Sequence, residues 1–185
     1  MACDFFHVDT VLLKRLYVLV FIDHDTRLIR IAGITANPVA DWVTQQVRNI
    51  TMDLADQAKA TKFLIRDRDE KFTASFDAVF TAGCIRGMIK SPVRSPRANA
   101  VCERVIGTIR RECLDRILIL GRRHLAPVLA EYVEHYNSHR PHRALSQRPP
   151  DTPDATPPAI GDVDTARLRR ADRLVSLVHE NRMVA

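Results

Sequence analysis

Several patterns are missing from this sequence of 185 residues, and each absence excludes a class of protein. No two of its cysteines form a Cys-x-x-Cys pair, which argues against a zinc knuckle. The apolar run LYVLVFI, residues 16–22, is far too short to span a bilayer, and no signal peptide is recognisable. We therefore expect a cytoplasmic protein with reduced cysteines in its core: Cys3, Cys84, Cys102 and Cys113.

The sequence has an excess of positive charge. The chain carries 28 Lys and Arg against 22 Asp and Glu, for a net charge of +6 and a pI near 9.5. A polyanion such as nucleic acid is a natural partner for this balance, although many small basic proteins bind nothing acidic. Hydrophobic residues make up 46 %, which is enough for one domain with a real core.

The apolar patterns predict a mixture of strands and helices. Strands are predicted at residues 4–8, 16–22, 28–34, 62–66 and 84–90, and helices at 38–57, 75–83, 99–114 and 123–138. Asn37 and Ser75 are the predicted caps of the first two helices, and Val39 is assigned to the apolar face of the first. We expect a compact domain over residues 1–145 and a proline-rich linker with a charged tail over 146–185. The end of this tail has the pattern of either a strand or a short helix.

Three carboxylates fall on three of these predicted rigid elements. Asp4 opens the first strand, Asp67 follows the fourth, and Glu103 lies 36 positions later in the first turns of a basic helix. Carboxylates suit Mg²⁺ and Mn²⁺, and two such ions about 3.5–4 Å apart can promote an in-line phosphoryl displacement. The pattern predicts a cation site beside a basic surface.

Other acids compete for the same role, because 22 acids always contain some trio with a suggestive spacing. The competitors are Asp9, Asp23, Asp25, Asp69 and Glu70, which are otherwise explained as solvated turn residues.

The basic helix has two interpretations. Asn99, Glu103, Gly107 and Arg110 lie along one stripe, where Gly107 would allow close approach of a DNA backbone. A solvated face with ordinary ion pairs, such as Glu112 with the residue four positions on, Arg116, explains the same pattern. The preceding residues 91–98 contain two prolines and two arginines, and we predict a mobile basic flap there.

Four segments in this order resemble the integrase core shared by insertion-sequence transposases and retroviral integrases. They are CDFFHVDT, IRDRDEKF, PRANAVCERVIGTIRREC and YNSHRPHRAL, and the resemblance covers about residues 3–150. The 35 residues between Asp67 and Glu103 match the spacing in that family's DDE triad. The chain departs from the family pattern at Asp69, where the family usually has Gly, and at Ala98, where it often has Asp.

The resemblance implies a fold and a chemistry. The fold is RNase H-like α/β, a five-stranded mixed sheet flanked by helices. The activity is that of a polynucleotidyl transferase, in which Asp4, Asp67 and Glu103 bind two Mg²⁺ (or Mn²⁺) ions for DNA cleavage and strand transfer. Double-stranded DNA is the implied partner, and the residues expected to contact it are Arg94, Arg97, Asn99, Arg104, Arg110 and Arg111.

Two further expectations follow from the same comparison. Family transposases usually carry a helix-turn-helix upstream of the first aspartate, and only three residues precede Asp4. We therefore expect a chain that needs another copy of itself or a helix-turn-helix partner, with a catalytically silent DNA-binding remnant and a nuclease of the same fold as alternatives. His135, His139 and His142 have a spacing that suggests zinc, but they fit the family's YN…RPH segment better.

Overall fold

A computed structural model of the chain describes residues 1–56, 63–83, 87–91, 99–151, 168–174 and 176–183. Five strands form one sheet in the order β3-β2-β1-β4-β5. They are β1 (Ala2–Asp9), β2 (Arg15–Ile22), β3 (Ile29–Thr35), β4 (Phe63–Arg66) and β5 (Gly87–Lys90). The first three strands are antiparallel, whereas β4 pairs in parallel with both β1 and β5. The predicted fold class, a five-stranded mixed sheet flanked by helices, is confirmed.

Helices cover both faces of this sheet. They are α1 (Ala40–Asp56), α2 (Ala74–Gly83), α3 (Ala100–Glu112) and α4 (Arg122–Ser138). One core cluster joins α1 and α2 to one face, and a second joins α3 and α4 to the other. Strand β2 shows why: Leu19 and Phe21 enter the first cluster, Val18 and Val20 enter the second, and all four are buried. A strand covered on both faces is what its unbroken apolar run predicts.

The predicted starts of the first two helices were wrong by one or two residues. Helix α1 begins at Ala40, because the chain first makes a turn in which the backbone N–H of Val39 donates to the carbonyl of Asn37. Val39 is 59 % exposed and does not belong to the apolar face. Helix α2 begins at Ala74, so Ser75 lies within its first turn instead of capping it.

Side chains of the YN…RPH segment fix α4 to the rest of the core. Asn137 is buried and accepts a hydrogen bond from the N–H of Ile29 at 3.0 Å while donating to the same residue's carbonyl at 2.9 Å. Arg140 donates two hydrogen bonds to Glu112, at 2.7 and 3.0 Å, and the Tyr132 hydroxyl donates a third at 2.7 Å. The partner of Glu112 is therefore Arg140, and the ion pair considered with Arg116 was wrong.

Residues 168–174 and 176–183 form a β-hairpin, which decides between the strand and the helix left open by the sequence. Its strands are β6 (Leu168–Arg173) and β7 (Val178–Met183), paired antiparallel. Leu174 is buried, and its N–H donates to the carboxylate of Glu131 on α4 at 2.9 Å. The hairpin thus packs against α4. None of the described helices is long and apolar enough to cross a membrane.

Three of the four cysteines are buried free thiols, as predicted: Cys3, Cys102 and Cys113. The fourth, Cys84, lies outside the described residues, and so do most of the predicted flap and the first part of the predicted fifth strand.

Candidate active site

The parallel pairing of β1 with β4 brings two of the predicted acids to neighbouring positions. Ala2 of β1 is in register with Ile65 of β4, and two residues further along each strand stand Asp4 and Asp67. Side chains two residues apart on a strand share a face of the sheet. Both carboxylates therefore lie on the same side of the sheet at its centre, although 62 residues separate them in the chain.

Each of these aspartates is held by hydrogen bonds. One oxygen of Asp4 accepts from the backbone N–H of Phe5 at 2.7 Å, and the other accepts from the Asn99 amide at 2.8 Å. Asp67 accepts from the backbone N–H of Asp69 at 3.1 Å. The Asp67 carbonyl accepts from the Arg66 guanidinium at 2.9 Å, which fixes the backbone where β4 ends.

Glu103 reaches this region from α3. Its backbone N–H donates to the carbonyl of Asn99 at 3.0 Å, closing the first helical turn. Because Asn99 also bonds Asp4, the start of α3 is tied directly to β1. The Glu103 side chain is exposed, whereas its neighbour Cys102 is fully buried in the core.

The pKa values of Asp4 and Asp67 are raised by burial and by the charges of neighbouring acids. Burial raises the pKa of Asp4 to about 7, helped by the negative charge of Asp67 and more weakly by Glu103 and Asp69, against the lowering effect of the Phe5 hydrogen bond. Burial also raises the pKa of Asp67. The Cys102 thiol has a pKa raised by burial and by the charges of Asp4, Asp67 and Glu103. Three carboxylates thus act on one buried point, and their mutual repulsion makes the site suited to a cation.

The oxygens of the three acids do not all lie close to one another, however. Among the described residues, the group of possible metal ligands whose atoms all lie within 4.8 Å of one another is His135, His139 and Glu180, which is elsewhere in the fold. The three predicted acids do not meet that spacing.

Most competing acids have other partners or lie at the surface. Asp9 is bound by Arg15 at 2.9 Å, and Asp23 accepts from the backbone N–H of Asp25 in a turn. Asp69 is the near neighbour: its charge acts on Asp4 and Asp67, but its carboxylate binds Lys71 at 2.7 Å. Glu70 is exposed.

The residues predicted to contact DNA divide into three groups. Arg104 and Arg111 are exposed on α3, as the prediction requires, whereas Arg94 and Arg97 lie outside the described residues. Arg110 donates to the His7 carbonyl at 2.8 Å and lies over the Phe6 ring, so it anchors α3 to β1. Asn99 is 6 % exposed and faces Asp4, because the packing of α3 against β1 turns its amide inward. The DNA contact expected of Asn99 stays a prediction, and the contact that the structure gives its amide is with Asp4.

The donor set fits a hard cation. Carboxylate and amide oxygens are the ligands that Mg²⁺ and Mn²⁺ prefer. The buried Oδ1 of Asn99 makes no hydrogen bond within the part of the chain described here, and it belongs to the amide that bonds Asp4. It adds a fourth oxygen-bearing side chain to the three acids. The sequence placed Asn99 on the same helical stripe as Glu103, but its contact with Asp4 depends on tertiary packing.

The raised pKa of Asp4 makes stability depend on pH when no divalent metal is present. Its folded value of about 7 lies above its ordinary value of 3.8, so the folded chain binds more protons between these limits. Stability should then fall as pH rises from about 4 to about 7. Asp4→Asn keeps an acceptor for Asn99 and removes this effect. In EDTA we expect it to be about 2 kcal/mol more stable than the parent at pH 8 and equal to it near pH 4, because partial exposure reduces the full linkage value.

Urea denaturation at the two pH values measures this difference. Asp9→Asn is the matched control, since Arg15 lowers the pKa of Asp9, and it should gain no stability at pH 8. A gain for Asp4→Asn of the same size at both pH values would contradict the linkage.

Comparisons with known proteins bear on the fold and on one part of the sequence. A sequence model of the integrase core domain matches residues 88–150. No curated protein sequence matches the chain. Among solved structures, a chain of the simian T-cell lymphotropic virus intasome, in complex with PP2A regulatory subunit B56 gamma, is similar with a TM-score of 0.63 and 14 % identity. The match covers 97 % of this chain and 64 % of the viral one.

The HTLV-2 integrase catalytic core domain is also similar. Its trimeric form in complex with magnesium matches with a TM-score of 0.60 and 12 % identity, over 83 % of this chain and 94 % of that one. The dimeric form matches with a TM-score of 0.57 and 12 % identity, over 77 % and 88 % of the two chains. Such identities establish the fold alone, which is that of the viral integrase catalytic cores, and the sequence match to the integrase core domain is confined to residues 88–150.

Proposed function

We propose that this chain catalyses metal-dependent DNA cleavage and strand transfer, as the core of a DDE-type transposase or integrase acting in the cytoplasm. One observation carries the proposal: Asp4 and Asp67 stand at neighbouring positions of parallel strands, and the helix that bears Glu103 is bonded to Asp4 through Asn99. In-line phosphoryl displacement by two metal ions requires acids that come from separate rigid elements and surround one site.

The protein's own residues have distinct tasks in this reaction. Asp4, central among the acids, would hold one cation together with Asp67 and a second together with Glu103. When bound, the two Mg²⁺ ions supply charge that activates the attacking oxygen and stabilises the leaving one. Asn99 fixes the orientation of Asp4, and Arg66 fixes the Asp67 backbone. The magnesium complex of the similar HTLV-2 core supports the choice of ion.

The reaction consists of two displacements at phosphorus. Water attacks a phosphodiester at the element end, a P–O bond breaks, and a DNA 3′-hydroxyl is released. That hydroxyl then attacks a phosphodiester of the target and displaces a second 3′-oxygen. Neither step needs a covalent bond between protein and DNA.

DNA binding without catalysis is the second candidate. The spacing of the three acids, whose oxygens do not all lie within 4.8 Å, favours it. Disintegration of a preformed branched DNA separates the two functions, because this reaction depends least on a module that recognises the element ends. The catalytic proposal requires labelled strand products in Mg²⁺ or Mn²⁺ and none in EDTA. Retention of the branched DNA without products in either metal would leave binding as the function.

The exposed arginines of α3 give a testable expectation for binding itself. Phosphate contacts carry no sequence information directly, so binding should be insensitive to sequence and should weaken steeply with salt. Arg104→Ala and Arg111→Ala should each weaken binding to all duplexes alike and reduce the slope of log K against log salt by about 1. Fluorescence anisotropy with two unrelated duplexes at several salt concentrations measures this.

Arg48→Ala is the matched control, because Arg48 is exposed on α1, across the sheet from α3. It removes the same charge and should leave the salt slope unchanged. An equal loss for Arg48→Ala would mean that binding is not confined to the α3 face. A preference of the isolated chain for one sequence would contradict the expected need for a second copy or a helix-turn-helix partner.

A further inference from the structure

We propose that His135, His139 and Glu180 form a zinc site that fastens the C-terminal hairpin to α4. The two histidines are four positions apart at the end of α4, with parallel rings whose centroids are 6.2 Å apart. Glu180 comes from β7 and its side chain is fully buried. Its Oε1 lies 3.2 Å from Nδ1 of His135 and 3.3 Å from Nδ1 of His139. The three ligand atoms lie within 4.8 Å of one another.

These spacings suit a tetrahedral ion. Zinc bonds to nitrogen and oxygen of about 2.0–2.1 Å place ligand atoms along tetrahedral edges of about 3.3 Å. Both histidine-to-glutamate distances match that edge. Two imidazoles and one carboxylate are a common zinc donor set, whereas Mg²⁺ prefers oxygen ligands and keeps most of its waters. A water would complete the coordination.

The surroundings of Glu180 support the same site. A buried carboxylate is unfavourable without positive charge beside it. Arg173 of β6 approaches the other oxygen, Oε2, at 3.4 Å, and so can orient the carboxylate from outside. The third histidine considered in the sequence, His142, instead packs against the Tyr136 ring at 4.7 Å. The sequence analysis preferred the YN…RPH segment to zinc for these histidines, and the third ligand of the site proposed here comes from a residue 41 positions beyond His139.

The site is separate from the Asp4, Asp67 and Glu103 site, and the two can be tested apart. The full chain is stripped with EDTA, loaded with Zn²⁺ and dialysed, and its zinc is measured per chain. The melting temperature is recorded with Zn²⁺ and with EDTA. We expect one zinc per chain and a rise of about 5–10 °C when zinc is about a hundredfold above its dissociation constant. Co²⁺ in place of Zn²⁺ should give the intense visible absorption of a tetrahedral site.

The variants separate a zinc site from an ion-pair cluster. His139→Asn and Glu180→Gln should each weaken zinc binding about tenfold or more and remove the rise in melting temperature. His124→Asn, which changes a histidine elsewhere on α4, and Asp67→Asn, which removes a carboxylate of the other site, should bind zinc like the parent. Equal zinc content in Glu180→Gln, loss of zinc in Asp67→Asn, or a melting temperature of the parent that does not respond to zinc would each overturn the proposal. Glu180→Gln keeps the shape of the side chain, so its melting temperature in EDTA reports whether the variant is folded.

Discussion

Replacement of Asp67 by Asn is expected to lower the rate of Mg²⁺-dependent disintegration at least about a hundredfold, with the chain still folded. Loss of a metal ligand removes several kcal/mol of charge stabilisation in the transition state, and about 1.4 kcal/mol corresponds to a factor of ten in rate. The fold should persist because Asn can still accept the hydrogen bond from the N–H of Asp69. Rates of product formation in Mg²⁺ and in Mn²⁺, together with circular dichroism, measure both effects.

Asp9→Asn and Asp69→Asn are the matched controls for this substitution. Asp9 lies at the far end of β1 and is paired with Arg15, so its replacement should leave the rate unchanged. Asp69 is closer and acts on both aspartates through its charge, so a severalfold change is expected there. Activity that survives in Asp67→Asn but is lost in Asp69→Asn would show that the second acid was assigned to the wrong residue.

The sequence predicted the sheet well because its strands have strong local patterns. The apolar run of β2 predicts burial on both faces, and both core clusters take side chains from it. Asp4 and Asp67 could be singled out in the sequence because both belong to recognisable strand segments. Their neighbouring positions depend on the register of β1 with β4, which no local pattern specifies.

What the sequence could not predict depends on tertiary contacts between distant residues. Arg110 lies on the predicted basic stripe and was assigned to DNA, yet its guanidinium bonds the His7 carbonyl. Glu112 has a cation four positions on, but Arg140 offers a bidentate pair from another element. Sequence spacing reveals only local partners, and a partly buried bidentate contact is stronger than a single ion pair at the surface.

Arg66 shows how a contact far from the acids can position one of them. Its side chain is only 4 % exposed and it donates two hydrogen bonds to Asp77 of α2, at 2.9 and 2.8 Å. A third hydrogen bond goes to the Asp67 carbonyl at 2.9 Å. The guanidinium also lies over the rings of Phe72 and Phe76. The ion pair therefore connects α2 with the end of β4, which Asp67 directly follows.

Asp77→Ala is expected to destabilise the chain by about 3 kcal/mol, because it leaves the buried Arg66 charge without its carboxylate. The guanidinium should then shift toward water and release the Asp67 backbone, so the disintegration rate should fall even where the variant is folded. Urea denaturation gives the free energy of unfolding, and the rate is measured at a temperature where the variant remains folded.

Two comparisons make this expectation specific to the buried pair. Asp9→Ala breaks the exposed pair with Arg15 and should destabilise the chain far less than Asp77→Ala, because water screens that pair. The double variant Arg66→Met, Asp77→Leu removes both charges and should recover most of the stability, since apolar residues of similar size can replace a buried ion pair. It should not recover the rate, because Met cannot donate to the Asp67 carbonyl. A double variant with both stability and rate restored would show that Arg66 does not position Asp67.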